Sequence, residues 1–348
     1  MVFAGKVTDP TYSKDIKYNS LDKFFISFLK DKRDLPFIYL TLKITFTLIP
    51  LAIIMFYPGT PNWLWWTAAI IYLYLNIIEL KGPFGLMMHC TSHRPWFKNK
   101  YSIANEYLPW FLGLFFGQTP KTYFSHHIGM HHIEGNLMPD KSTTMPYQRD
   151  SALAFARYFF DFLLVGILKV SLYFKSKKRF KLMWWVVRGE LFFYTMIAIL
   201  FYYNWQATLV VFISSFFVSR IVMMIGNWTQ HAFIDPEDPG HGLKNSLTCI
   251  NVPFNHRCWN DGYHASHHMA SSMHWSEHPT YFLEHINEFR DCKAVVFDGL
   301  DFGAVWKSLM IKDYKKLAKH FVNLDNQFKS EEEIIAFLKS RTKAIPPA

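Results

Sequence analysis

The apolar residues of this 348-residue chain fall into long unbroken runs. Strand alternation and the three-to-four spacing of a surface helix both yield to blocks. The first run, Pro36 to Tyr57, is long enough to cross a hydrocarbon core of about 30 Å as a helix. Lys43 lies inside it and must snorkel or face protein. A short uncharged turn leads to a second run, Trp63 to Leu80, which opens on a Trp cluster suited to a membrane interface. A matching pair follows later: Trp184 to Tyr203, a turn around Asn204, then Gln206 to Gly226. The pattern predicts an all-α integral membrane fold of four spans in two hairpins.

Between the hairpins the pattern changes. Residues 81–183 carry Lys and Arg throughout and end in the basic run at 175–181. Tyr107–Gly117 is apolar but too short to span, and reads as a re-entrant or interfacial piece. Ala152–Phe174 is long enough, but Arg157, Asp161 and Lys169 favour an amphipathic helix lying on the membrane. Residues 227–348 turn polar, then His-rich, then charged, and close on an amphipathic helix near 330–342. One membrane domain is expected, with an N-terminal segment 1–34, a catalytic core 37–290 and a helical tail 291–348.

Charge orients the hairpins. The turns at 58–62 and 203–206 hold no Lys or Arg, while the N-terminus, the 81–183 region and the last third hold nearly all of them. By the positive-inside rule these three parts form a cytosolic cap. Half the chain is hydrophobic and 18% is charged, below the roughly 25% of a soluble domain. The net charge of +10 suits that topology and anionic lipid. With no basic helix or RNA-binding motif beside it, the charge argues poorly for nucleic acid. Cys90, Cys249, Cys258 and Cys292 form no CxxC pair and read as reduced thiols. The first twenty residues contain no apolar run, so no cleaved signal peptide is expected.

The chemistry lies in the 16 histidines, none of which precedes His89. They cluster as HCTSH (His89, His93), HHIGMHH (His126, His127, His131, His132), NWTQH (Asn227, His231) and HASHH (His264, His267, His268). Residues three or four apart share one helix face. His89/His93, His127/His131, Asn227/His231 and the HASHH trio meet that condition. His131 and His132 point about 100° apart on a helix and can serve different metals. Imidazole suits Zn, Fe, Cu and Ni, and eight or more such ligands can hold two ions. A lone HxxxH is usually a surface pair. Four clusters, each at the cytosolic end of a span or in the cap, predict one di-metal site where a lipid-derived chain could meet it. His126, His241, His256, His274, His278, His285 and His320 are expected to be surface, hydrogen-bonding or supporting groups.

These motifs resemble the membrane fatty acid desaturase and hydroxylase superfamily over roughly residues 37–290. The resemblance implies two non-haem irons, with His89, His93, His127, His131, His132, His231, His264, His267 and His268 as ligands and Asn227 as a weak or water-mediated one. It also implies O2-dependent oxidation of an acyl or alkyl chain by an oxidoreductase of lipid metabolism. Many desaturases carry HxxHH in the second box, which would need His at 128, where this chain has Ile128. The spacing HIGMHH, the NWTQH segment and the stretch after the second box resemble the alkane hydroxylase branch. An HPGG haem motif is lacking, so electrons are expected from a separate donor, cytochrome b5 or a ferredoxin/rubredoxin type with its reductase.

Carboxylates that orient the imidazoles are sought among Glu79, Glu106, Glu134, Asp140, Asp261 and Glu277. Asp261 is the first choice, because it lies three residues before His264. Trp63, Trp65, Trp66, Tyr72 and Tyr74 could line an apolar tunnel, although lipid contact or packing explains aromatics at helical spacing more often. Lys98, Lys100, Lys177, Lys178 and Arg179 could dock an acidic donor or an acyl carrier, or simply meet anionic lipid. Three readings stand: an acyl desaturase, a di-iron hydroxylase of alkyl or acyl chains, and a non-enzymatic membrane metal-binding or transport protein. The last expects histidines within the spans, where none lies.

Overall fold

The structure is a computed structural model describing residues 5–346. Helices dominate, and the long apolar runs form them. Helix α1 is Leu35–Phe56, with a proline in its first turn, where the missing N–H costs nothing. Its 22 residues reach about 33 Å at 1.5 Å per residue, enough for a bilayer core. Helix α2, Asn62–Leu73, continues into a π-helical turn at Tyr74–Glu79. Helix α3, Lys81–His93, leaves that turn bent by 52°. Next come α4, Ala152–Ser176, and α5, Phe180–Tyr203. The run Trp205–Gln230 contains a π-helical turn at Leu209–Ile213 and ends in α6, Ser214–Gln230. Helix α7 is His264–Met269, and α8 is Glu331–Arg341.

Among the described residues three helical stretches are long and apolar enough to cross a membrane: Lys32–Phe56, Phe180–Tyr203 and Trp205–Gln230. The bent pair Asn62–Glu79 plus Lys81–His93 makes a fourth if it counts as one span. The second apolar run, Trp63 to Leu80, thus ends at a bend, beyond which Lys81–His93 carries the first histidine box. Its π turn places the break between Glu79 and Lys81, just before the first histidine box. Helix α4 is not among the spans by length and composition, and its Lys169 Nζ pairs with the Asp161 carboxylate.

The chain divides into two compact units. One comprises residues 13–127 and 171–221. Polar side chains stitch its apolar helices together, as expected where little else distinguishes helix from lipid. Tyr72 Oη donates to the Val211 carbonyl at 3.1 Å, and Ser215 Oγ to Asn76 Oδ1 at 2.6 Å. The buried Lys81 donates to Ser219 Oγ at 3.0 Å. Lys43 pairs with Glu79 at 3.3 Å, which satisfies the charge inside the first span. Gly117 has φ +69° and lies against the Phe216 backbone, so a side chain there would meet main chain. Trp63, Trp66 and Tyr74 are exposed on their helix, Tyr72 is buried, and Trp65 Nε1 donates to the Met55 carbonyl.

The other unit comprises residues 1–12, 128–170 and 222–348, of which those from residue 5 to residue 346 are described. It holds a feature absent from the all-helical expectation: a parallel pair of strands, β1 Leu247–Ile250 and β2 Val295–Asp298, in register Leu247 to Val295. Four apolar or β-branched residues in a row fit a strand buried on both faces. That segment was too short to stand out between helices. Phe233, Val305, Leu309, Leu317 and Leu338 pack around the pair on one side, and Tyr263, Ala265, Phe282 and Phe289 on the other. The sheet thus supports the loop that leads into α7. Cys249 N donates to the Gly262 carbonyl at 2.7 Å, and Gly262 N to Asn255 Oδ1 at 2.9 Å. The N-terminal segment straps the same loop: Asp9 Oδ2 accepts from Tyr263 Oη at 2.6 Å and from Asn251 N at 2.7 Å. Among the described residues none of the four cysteines forms a disulfide.

Candidate metal centre

The second histidine box does not form an ordinary α-helix. His127–His131 is a π-helical turn, flanked by helical pieces Thr122–His126 and His132–Glu134. A π turn closes i to i+5 and is wider than an α turn, so residues four apart no longer stack. His127 and His131, expected on one face, accordingly join different clusters.

His131, His231, His264 and His268 form one of them, entirely within the second unit. One ligand nitrogen from each lies within 4.8 Å of the other three. His264 Nε2 is 3.2 Å from His231 Nε2 and 3.0 Å from His268 Nε2. Imidazole nitrogens bound to one metal at about 2.0–2.1 Å and set at right angles lie about 3 Å apart, so the spacing fits a single ion. His131, His231 and His264 are buried and His268 is half-buried.

The outer nitrogens set the direction of the inner ones. His131 Nδ1 contacts Asp140 Oδ2 at 2.7 Å, and Asp140 is itself buried. His231 Nδ1 contacts the Asn245 carbonyl at 2.8 Å. Both partners accept, so each Nδ1 carries the proton and each Nε2 turns a lone pair inward. Lone pairs gathered within 4.8 Å of one another suit a cation among them, and the donor set supplies no carboxylate to compete. Electrostatics agree. Burial, and next the neighbouring His131, push the His231 imidazole down to about 3. His268 is driven well below its ordinary value by burial first, then by His264, His231, His131 and His132. Both are neutral at pH 7, the form that binds a metal.

His132 and His267 pair separately in the same unit, with Nε2 atoms 2.9 Å apart and rings 4.7 Å apart. In the first unit His89, His93 and His127 form a triad. His93 Nε2 is 3.0 Å from His127 Nε2, and the His89 ring lies 4.5 Å from that of His127. Tyr123 stacks on His127 at 5.2 Å. All nine box histidines therefore stand in histidine-only groups.

Asp140, nine residues beyond His131, makes a carboxylate contact to its imidazole. Asp261 accepts from Gln230 Nε2 at 3.0 Å, beside His231. Glu79 and Glu106 pair with Lys43 and Lys121. Asn227 commits its amide nitrogen to the Ser142 carbonyl at 2.9 Å and to Tyr158 Oη at 2.6 Å. Asn245 escapes sequence reasoning altogether, because its link to His231 spans fourteen residues of loop with no spacing rule. Four of the other seven histidines make hydrogen bonds. His241 and His274 cap short helices, and His285 and His320 contact main-chain carbonyls.

Residues 61–297, well over half the chain and all of the boxes, match the model of the family described as Fatty acid desaturase. The chain belongs to the fatty acid desaturase family. No curated protein and no solved structure matches it. This desaturase-family chain is accordingly a membrane protein with apolar helices and histidine groups able to bind metal, and the family marks it as an oxidoreductase of the desaturase and hydroxylase kind.

Proposed function

We propose that this chain is a di-iron acyl-chain desaturase that uses O2 and external electrons to introduce a C=C bond. The four-histidine cluster carries the reading, with its inward Nε2 atoms fixed from behind by Asp140 and Asn245. His131, His231, His264 and His268 are proposed to hold one iron, with Asn227 nearby as a weak or water-mediated ligand. His89, His93, His127, His132 and His267 are proposed as further iron ligands. Imidazole-only sets suit several ions, and the family argues for iron. When bound, the irons supply O2 activation against an unactivated C–H bond. The chain's own work is to hold each imidazole neutral and aimed, and to keep water out of a buried site. The boxes are assigned to the cytosolic face by charge. A separate cytochrome b5 or ferredoxin/rubredoxin-type donor is proposed to deliver the electrons, and the substrate to be a lipid-borne acyl chain.

A second reading has a specific observation behind it. The HIGMHH spacing, with Ile128 where many desaturases have histidine, also suits hydroxylation. Expression in a host with a competent reductase, followed by lipid profiling, separates the two. New double bonds support desaturation, and new hydroxyl groups replace it with hydroxylation. Purified, iron-replete protein should hold about two irons per chain, and His131→Ala should lower that by about half. An iron-poor wild type that His131→Ala leaves unchanged defeats the site itself.

A further inference from the structure

The last helix and the residues after it lie outside the family-matched stretch, yet they reach a proposed ligand. The link is Arg149, which is fully buried. Its guanidinium serves six main-chain carbonyls. Nε donates to Ala232 at 3.0 Å; one terminal nitrogen donates to Thr144, Met145 and Tyr147 at 3.2, 3.0 and 3.1 Å; the other donates to Arg341 at 3.0 Å and Lys343 at 2.5 Å. Among the described residues no carboxylate pairs with it. Guanidinium has five N–H donors in a rigid fork, and no other side chain could serve three separate segments at once.

Those segments converge on His231. This residue sits just past the end of α6, so the helix alone does not fix its backbone. Its carbonyl accepts from Thr144 Oγ1 at 2.8 Å, and the next carbonyl, Ala232, is the one held by Arg149 Nε. Trp228 Nε1, on the last turn of α6, donates to the Arg149 carbonyl at 3.0 Å. The tail closes the arrangement. Arg149 N donates to the Thr342 carbonyl, Ile234 N to Arg341 and Ile345 N to Met145, at 2.8, 2.9 and 2.8 Å. Thr144 N also donates to Asn136 Oδ1 at 2.8 Å, and Asn136 Nδ2 donates to Asn245 Oδ1 at 2.9 Å. Asn245 is the residue behind the His231 imidazole.

We propose that Arg149 is a positioning residue for His231, and that tail residues 341–345 form the other half of the same clamp. Loss of the clamp frees the turn 231–234, so His231 no longer holds its Nε2 toward the cluster. The inference rests on the proposed iron site and adds a part of the chain that the family pattern does not reach.

The test uses full-length protein in detergent, loaded with 57Fe, in wild type and three variants: Arg149→Lys, Thr144→Val, and a chain ended after Ser340. Iron content, Mössbauer spectra and far-UV circular dichroism are measured on each. Arg149→Lys keeps the charge but cannot reach all six carbonyls. Each variant should lose about half its iron and one of two quadrupole doublets, with the other doublet and the helicity unchanged, since losing an orienting partner costs about 10–100-fold in metal affinity. Thr144→Val changes one hydrogen bond and carries the test if the arginine variant does not fold. Variants that hold both irons as tightly as wild type overturn the clamp and leave the site reading standing. Equal loss of both doublets, or loss that follows helicity, also overturns it. A wild type that binds no iron overturns the site reading instead.

Discussion

Replacing Asp140 with Asn asks whether the carboxylate behind His131 does electrostatic work or merely fills space. The side chain divides its two oxygens. Oδ2 meets His131 Nδ1 at 2.7 Å, while Oδ1 accepts from Ser142 N and Ser142 Oγ, both at 2.8 Å. An amide of the same shape cannot do both. If its oxygen stays on Ser142, its NH2 faces Nδ1, and the imidazole must carry its proton on Nε2, where the metal belongs. If it flips, the NH2 faces the Ser142 N–H, and a buried donor loses its acceptor at a cost of about 1–3 kcal/mol. The first arrangement is cheaper for the fold and worse for the metal. A 10–100-fold loss of affinity, about 1.4–2.7 kcal/mol, is expected at this one site. Iron-loaded wild type and Asp140→Asn would be dialysed against graded chelator and the iron per chain measured, with Asp238→Asn as control, since that residue pairs with Lys244 outside the histidine clusters. Asp140→Asn should release about half its iron at a lower chelator concentration, while the melting temperature of the metal-free protein moves little. The same chelator midpoint as wild type, within about twofold, would refute the tautomer argument.

Two further outcomes follow from the geometry. The metal-free protein should lose stability in acid through its neutral histidines. His231 sits near 3 against an ordinary value of 6.5, so between those values the unfolded chain binds a proton that the fold refuses. Stability is therefore full above about pH 6.5 and falls as the pH drops toward 3, by an order of a few kcal/mol. His268 adds in the same direction. Thermal melts from pH 8 to 4 should show a shallower slope for His231→Gln than for wild type, and equal slopes would remove His231 from the acid response. Separately, Gly262→Ala should destabilise the loop before HASHH by about 1–3 kcal/mol, because a Cβ there runs into Asn255 Oδ1 and the Cys249 carbonyl, both fixed by hydrogen bonds. An unchanged urea midpoint would show that the loop can yield.

The sequence by itself determined the parts of this protein that depend on near neighbours. Apolar runs of about twenty residues became α1, α5 and the stretch Trp205–Gln230, because a helix satisfies its own backbone and only its length and apolarity must match the membrane. The box spacings singled out nine histidines and the family they resemble, and adjacency alone let His131 and His132 point to different partners. Tertiary structure decided which histidines meet. His131 joins His231, His264 and His268, whereas His132 joins His267, and those partners come from more than ninety residues further along the chain. It also brought Asp140 and Asn245 behind the imidazoles of His131 and His231. The strand pair at Leu247–Ile250 and Val295–Asp298 and the break after Glu79 belong to the same class. The physical reason is common to all of them. Local periodicity records which face of an element is apolar or ligating. A carbonyl or carboxylate brought in by a loop is fixed by hydrogen bonds between distant residues, and those leave no period in the chain.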